Sequence, residues 1–446
     1  SVVFGGFSPD SLAGRIGDCR SKLVITADEG LRGGKKVPLK HNTDIALTRT
    51  LDDAKVLVVQ RTGGQVAMHA GRDFWYHELA ATVDAVCEPE PIGAEDPLFI
   101  LYTSGSTGRP KGVLHTTGGY LLFAAMTHKL VFDIRDDDVF WCTADIGWVT
   151  GHSYIVYGPL SNGVTQVLYE GTPASPDEHR HFQVIEKYGV TIYYTAPTLI
   201  RTFMKLGRQL PAAHDLSSLR LLGSVGEPIN PEAWRWYRTH FGADKTPVVD
   251  TWWQTETGSI MISPLPGVTD TKPGSAMTAL PGISAKIVDD DGNELAPGTG
   301  HGEQVSGYLV LDKPWPSMLR GIWGDPERYR ETYWSRFAEQ GWYFAGDGAR
   351  YGSDGEIWVL GRIDDVMNVS GHRISTAEVE SALVGHSGVA EAAVVGATDD
   401  TTGQAICAFV ILKASAAGGA DTMIEELRKQ VATEISPIAR PREIHV

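Results

Sequence analysis

Tyr102-Thr103-Ser104-Gly105-Ser106-Thr107-Gly108-Arg109-Pro110-Lys111-Gly112-Val113 follows the short apolar run Leu98 to Tyr102 and concentrates hydroxyls, glycines and cations in one loop. Glycine lets the backbone turn its amides toward a ligand, the hydroxyls add donors, and Arg109 and Lys111 add positive charge. The stretch is suited to a polyphosphate. A Walker A loop needs Gly-Lys-Ser/Thr opening a helix. Here Pro110 precedes the lysine and Gly112-Val113 follows it, so that motif is excluded. A Gly/Ser/Thr-rich segment alone equally suits a solvated loop, and the rest of the chain has to decide.

At 446 residues the chain exceeds one ordinary hydrophobic core, which predicts two or three domains. Hydrophobic residues are 42% and charged residues 21%, and no apolar run approaches the roughly 18 residues of a membrane span. Lys and Arg (39) against Asp and Glu (55) give a net charge of −16, which argues against a nucleic-acid partner and makes any phosphate site a local one. Cys19, Cys87, Cys142 and Cys407 are scattered, with no CxxC pair, so neither a zinc knuckle nor a disulfide framework is expected and the chain reads as cytoplasmic. Ser1-Val2-Val3-Phe4-Gly5-Gly6 reads as the interior of a fold, and Arg442 to Val446 as a strand just beginning, so a fragment is expected.

The first part alternates β-rich runs (Leu23 to Thr26, Val56 to Gln60, Leu98 to Tyr102) with helical stretches such as Tyr120 to Met126, the pattern of a layered α/β domain. Further strands are expected at Thr191 to Tyr194, Leu219 to Leu222 and Val248 to Trp252, each running into a cluster of unusual composition. Ligands gather at the carboxyl ends of such strands. From about Pro264 to Asp347 the chain becomes Gly/Pro-punctuated and β-rich, with a hairpin turn at Asp289-Asp290-Asp291-Gly292-Asn293. After Gly361-Arg362-Ile363-Asp364-Asp365 a compact α+β unit is expected: a capped helix from Ser375-Thr376-Ala377-Glu378 through Val384, strands at Val389 to Val395 and Ala405 to Leu412, and a helix with Ile424, Leu427, Val431 and Ile435 on one face.

Four further blocks carry chemistry. Trp141 to Tyr154 reads as a pocket loop or an aromatic core loop, and Gly223-Ser224-Val225-Gly226-Glu227-Pro228-Ile229 as a run of small residues that lets a flat ring approach the backbone, or as an ordinary turn. Asp250-Thr251-Trp252-Trp253-Gln254-Thr255-Glu256-Thr257-Gly258 is a poor strand interior and a good pocket wall. The last block joins Tyr343 to Ala349, Gly361 to Asp365 and Asn368 to Arg373, in which Asp347 and Arg362 also suit a plain ion pair.

In order and spacing all five blocks resemble the AMP-forming acetyl-CoA synthetases, within the acyl-CoA synthetase, luciferase and peptide-synthetase adenylation superfamily. The resemblance spans the chain, and Trp252 to Gly258 and Val369 to Arg373 are its most specific signatures. It implies an adenylate-forming fold: a large domain of layered α/β subdomains at 1–363, with a small distorted β-barrel subdomain at about 264–347, and a small mobile α+β domain at 364–446. It also implies ATP, Mg²⁺ and CoA, with acetate as the acid.

Carried over by residue, Thr103, Ser104, Gly105, Ser106, Thr107, Gly108 and Lys111 hold the triphosphate. Gly226, Glu227 and Pro228 line adenine, beside Asp250, Thr251, Trp252, Trp253 and Gln254. Asp347 accepts the ribose hydroxyls with Arg362, Thr255 and Arg373 bind phosphate oxygens, and Glu256 holds Mg²⁺. Val149, Thr150, Val225 and Trp253 form the acetate pocket, where an indole across the acyl channel rejects longer chains by overlap. Thr150, Ser370 and Gly371 face CoA, and Asp364 is the hinge. His386, with the Val384 and Val389 carbonyls, marks a second cation loop or a plain helix C-terminal turn. His152 and His372 are read as structural, because an ionised acetate needs no general base.

The implied reaction is attack of acetate on the α-phosphorus of ATP, release of pyrophosphate, and capture of the acetyl adenylate by CoA with loss of AMP. Propionate is the competing acid, and a carrier-protein-loading adenylation domain or a non-catalytic nucleotide-binding relative are the alternatives. The family's catalytic lysine is expected beyond Val446, so this stretch alone is expected to adenylate poorly, and a protein acetylation and deacetylation system is the implied partner of that lysine. Ala174 and Ala432-Thr433 depart from the family pattern around CoA.

Overall fold

The computed structural model describes residues 1–50, 53–103, 110–296, 306–363, 366–369, 372–399, 403–413, 420–435 and 437–446. At its centre five parallel strands lie in the order Val248–Asp250, Leu221–Ser224, Ile192–Thr195, Val139–Cys142 and Thr165–Gln166. Ile192–Thr195 and Leu221–Ser224 are buried at every position, as expected for parallel strands covered on both faces. Alternation sends Tyr193 toward one layer, with Phe182, Phe203, Tyr237 and Phe241, and Tyr194 toward the other, with Phe132, Phe140 and Tyr154. Helix Pro231–Gly242 covers the first layer; its Asn230 cap accepts from the Ala233 N–H at 2.7 Å and Ala243 ends it at φ +47°.

The register brings Thr195, Ser224 and Asp250 into one row at the carboxyl edge. Expected and observed strands differ there: Val248 leaves the sheet after Asp250 instead of Trp252, because Trp252 turns to bridge Ile262. Leu221–Ser224 begins and ends two residues later than expected.

The glycine-rich loop joins two antiparallel strands, Pro97–Thr103 and Lys111–Thr116, with Thr103 opposite Lys111. The second strand was not expected. Helix Thr117–Val131 follows it and contains the expected Tyr120 to Met126. Gly321–Ile322 completes this sheet, and a four-stranded antiparallel sheet (Ala285–Val288, Ser306–Leu311, Tyr343–Tyr351, Ile357–Arg362) lies beside it. Val113 and Ile322 from the first and Leu309, Tyr343 and Ala345 from the second share one core with Trp252 and Trp315. The hairpin turn forms as expected, with Asp289 Oδ1 accepting from the Asp291 and Asn293 N–H groups at 2.9 and 2.8 Å.

In the last part, Val366–Val369, His372–Ser375, Val389–Asp399, Gly403–Leu412 and Glu443–His445 form one sheet against helices Thr376–Val384 and Ala420–Glu434. Leu427 and Val431 enter its core, with Ile424 and Ile435 packed against it. Asp364 lies outside the described residues.

Candidate active site

The carboxyl edge of the parallel sheet brings the chemistry-bearing blocks together. Gly226 follows its strand at φ +96°, a left-handed conformation that favours glycine, and is exposed. The Glu227 side chain is committed elsewhere: Oε1 accepts from the Thr198 N–H at 2.7 Å and from the Thr198 hydroxyl, and Oε2 pairs with Arg201 at 2.7 Å. What 226–228 offers a ring is therefore backbone. Asp250 is buried, and burial pushes its carboxyl up to about 7 against the pull of Ser224 and the Thr251 N–H.

Asp347 is the best-defined polar centre. Its Oδ2 accepts from Trp252 Nε1 at 3.1 Å and Gln254 Nε2 at 2.6 Å, and its Oδ1 lies 3.8 Å from Arg362. Burial raises this carboxyl to about 6, with Arg362 opposing. Asp347 and Arg362 are cross-strand partners, and Arg362 also donates to the Ala345 carbonyl at 2.8 Å. Gly346 permits this approach: at φ +71°, a Cβ there would stand 2.7 Å from the guanidinium. Gln254 is oriented in turn by the Tyr343 hydroxyl, 2.8 Å from its Oε1.

Glu256 takes the Tyr333 hydroxyl on Oε1 at 2.5 Å, with Lys111 Nζ 3.5 Å away. Burial lowers the Lys111 pKa, while Glu256 pulls it upward. The buried His115, pushed down to about 4 by burial, donates Nε2–H to the Thr255 carbonyl at 2.7 Å and so fixes that turn as a neutral ring. Thr103 Oγ1, at the loop entrance, is buried without a partner among the described residues. The Glu256 carboxylate and the Lys111 ammonium thus meet at the strand that leaves the loop, opposite Thr103. Ser104, Gly105, Ser106, Thr107, Gly108, Ser370 and Gly371 lie outside the described residues; Arg373 is placed only as part of strand His372–Ser375.

Among the residues expected to line an acetate pocket, Val225 and Trp253 share one apolar cluster with Tyr154 and Tyr194. Val149 packs on the neighbouring cluster of Phe99, Leu101 and Tyr120, and Thr150 follows it in the short helical turn Val149–Gly151. His152 is buried against Phe99 at 4.7 Å and donates Nδ1–H to the Trp148 carbonyl at 3.1 Å, which matches a structural role. His386 sits in the turn after helix Thr376–Val384; Nδ1 accepts from the Gly388 N–H at 3.2 Å and Nε2 faces Glu426 at 3.5 Å.

Two side-chain groups escaped sequence reasoning because their members are distant in the chain. Cys407, Glu443 and His445 bring donor atoms within 4.8 Å, but Glu443 and His445 are mostly solvent-exposed and already pair with each other at 3.4 Å. Asp44, His69 and Asp73 also converge, with Lys40 Nζ filling the space between the carboxylates. Tyr333 and Tyr194 were missed as well. Only Tyr343, the first residue of its block, carried a signal.

A family model described as "AMP-binding enzyme" matches residues 1–323, and one described as "AMP-binding enzyme C-terminal domain" matches residues 378–446. The chain belongs to the AMP-binding enzyme family. Its similar relatives in that family include proteins named acetyl-coenzyme A synthetase. That of Mycolicibacterium smegmatis is 73% identical over 447 residues, covering all of this chain and 48% of the relative. That of Mycobacterium tuberculosis is 68% identical over 449 residues, covering 69% of the relative, and that of Streptomyces coelicolor 63% over 445 residues, covering 67%. The chain therefore spans about half to two thirds of these relatives' length. Among solved structures, a Brucella canis acyl-CoA synthetase superposes with a TM-score of 0.70 at 30% identity, covering 99% of this chain and 74% of that one. Among the described residues no helix is long and apolar enough to cross a membrane.

Proposed function

We propose that the protein to which this chain belongs is an AMP-forming acetate:CoA ligase, converting acetate, ATP and CoA to acetyl-CoA, AMP and diphosphate through an acetyl adenylate. The observation that carries this reading is the Trp253 indole packed with Val225 at the carboxyl edge that also holds Asp250, in a chain whose relatives are named acetyl-coenzyme A synthetase.

In this reading the backbone of 226–228 takes the adenine, and the Asp347 carboxylate accepts the ribose diol while Arg362 keeps its charge balanced. Thr255, on a turn fixed by His115, and Arg373 receive phosphate oxygens, together with Lys111 and residues 103–108. Glu256 offers a hard oxygen donor near that loop, which fits Mg²⁺, an ion that would neutralise triphosphate charge there when bound. Acetate is already a nucleophile, so the chain's part is to align it, exclude longer acids with Trp253 and stabilise the departing diphosphate.

A rotation of 364–446 about Asp364 then exchanges adenylating for thioester-forming residues, with Thr150, Ser370 and Gly371 facing CoA. A second cation at His386 with the Val384 and Val389 carbonyls, a cytoplasmic location and a protein acetylation system as partner belong to the same reading, supported by the resemblance alone.

The test is pyrophosphate release by the full gene product with acetate, propionate and butyrate. Acetate is expected to give the highest kcat/KM; an equal or higher value for propionate overturns the assignment of acetate.

A further inference from the structure

Trp253 is held by a hydrogen-bond chain with one possible direction. Its indole N–H donates to the Tyr194 hydroxyl at 3.3 Å; that hydroxyl lies 2.7 Å from Thr251 Oγ1, which donates to the Ser224 carbonyl at 2.7 Å. An indole nitrogen only donates and a carbonyl only accepts, so each hydroxyl's proton points toward Ser224. The chain ties three neighbouring strand ends together, and its last acceptor immediately precedes Val225.

Tyr194 is completely buried, with Tyr154 edge-on to it at 5.7 Å and to Trp253 at 5.0 Å. Burial holds the Tyr194 phenol well above its usual range, so it stays a neutral donor and acceptor. The Tyr154 ring is itself anchored, its hydroxyl accepting from the Ile260 N–H at 2.8 Å. Apolar packing alone would leave the indole free to slide or turn in its plane. The bond to Tyr194 is the directional contact that fixes its angle.

We infer that Tyr194 is a positioning residue for chain-length selection, acting through Trp253 by locking the indole across the acyl channel. The inference rests on the acetate-pocket reading of Trp253 and Val225, and adds a residue that never touches the acid. Without the Tyr194 hydroxyl the indole loses its acceptor and can yield to a longer chain.

The experiment measures kcat/KM for acetate and propionate in the full gene product and its Tyr194→Phe, Tyr193→Phe and Trp253→Gly variants. Tyr193→Phe is the matched control, removing an equally buried hydroxyl that serves His181 at 2.9 Å in the opposite layer. Tyr194→Phe is expected to raise the propionate-to-acetate ratio about three- to tenfold, the scale of one hydrogen bond. Tyr193→Phe should leave it unchanged, and Trp253→Gly should shift it further.

An unchanged ratio in Tyr194→Phe beside a shifted one in Trp253→Gly overturns the inference and keeps the pocket. No shift in either overturns the pocket itself. An equal shift in Tyr193→Phe overturns the inference as general loosening. If Tyr194→Phe does not fold, Thr251→Val keeps the shape, removes the acceptor of Tyr194 and is expected to move the ratio the same way; no movement overturns the inference.

Discussion

The Tyr333 hydroxyl donates to Glu256 Oε1 at 2.5 Å and leaves the second carboxylate oxygen to other partners. Lys111 Nζ stands 4.9 Å over the Tyr333 ring and 3.5 Å from that same Oε1, so ring, acid and ammonium form one unit at the base of the glycine-rich loop. Each element comes from a different part of the chain: the hairpin, the turn after the parallel sheet, and helix Pro326–Tyr333.

Tyr333→Phe should release Glu256 to close on Lys111, whose ammonium then competes with a bound cation for that carboxylate. The expected result is about a tenfold rise in the half-saturating Mg²⁺ concentration, the scale of a hydrogen bond to a charged group. Titration with Mn²⁺ followed by electron paramagnetic resonance, in the presence of a non-hydrolysable ATP analogue, reads binding apart from turnover. An unchanged midpoint rejects a role for Tyr333 in orienting Glu256.

Asp347 sets a pH dependence of definite sign. Burial lifts its folded pKa to about 6 from an ordinary 3.8, so between those values the unfolded chain has ionised while the folded one has not. Stability therefore falls as pH rises from about 4 to 6, and the loss is complete above that. Asp347→Asn should raise the melting temperature of the ligand-free protein at pH 8 and leave it nearly unchanged at pH 4. Under the proposed ribose-binding role of Asp347, nucleotide binding should have the opposite dependence: a diol is held by the ionised acid, so ATP affinity measured by calorimetry is expected to weaken below about pH 6.

Lys40 makes a different kind of contribution, remote from the strands that carry the site. Completely buried, its Nζ contacts Asp44 at 2.7 Å, Asp73 at 2.8 Å and the Ala67 carbonyl at 2.8 Å. Lys40→Met leaves two acids with less compensation, at an expected cost of about 3–5 kcal/mol in urea unfolding. Lys40→Met combined with Asp73→Leu should recover much of it. A neutral single variant would show that Arg72, which also pairs with both acids, suffices alone.

The sequence was legible where a block's chemistry is local. Thr191 to Tyr194 announces by composition the buried strand found at Ile192–Thr195, and Asp289 to Asn293 its turn. Strand ends were less legible: Trp252 looks like strand, but it folds back to bridge Ile262 and its indole bonds Asp347, far along the chain. Lys111 to Thr116 was missed because Lys-Gly at its start reads as loop, and only pairing with Pro97–Thr103 makes it a strand. Tyr194, Tyr333 and His115 carry no local signal, since each matters through one contact to a residue at least 59 positions away.

Glu227 separates side chain from backbone at the turn 226–228. Its carboxylate caps helix Pro197–Leu206 through the Thr198 N–H and hydroxyl and holds Arg201, so nothing in these contacts leaves it free to face a base. Glu227→Ala should cost about 1 kcal/mol in unfolding free energy, the scale of a lost helix cap. It should also move the KM for ATP by less than about threefold, because the 226–228 backbone that would meet the ring is retained. Gly226→Val is the complementary change: at φ +96° a β-branched residue is strained, the turn must rearrange, and ATP affinity should fall far more than in Glu227→Ala. The reverse order of effects, read by calorimetric titration with ATP, would mean that the carboxylate leaves Thr198 to contact the nucleotide.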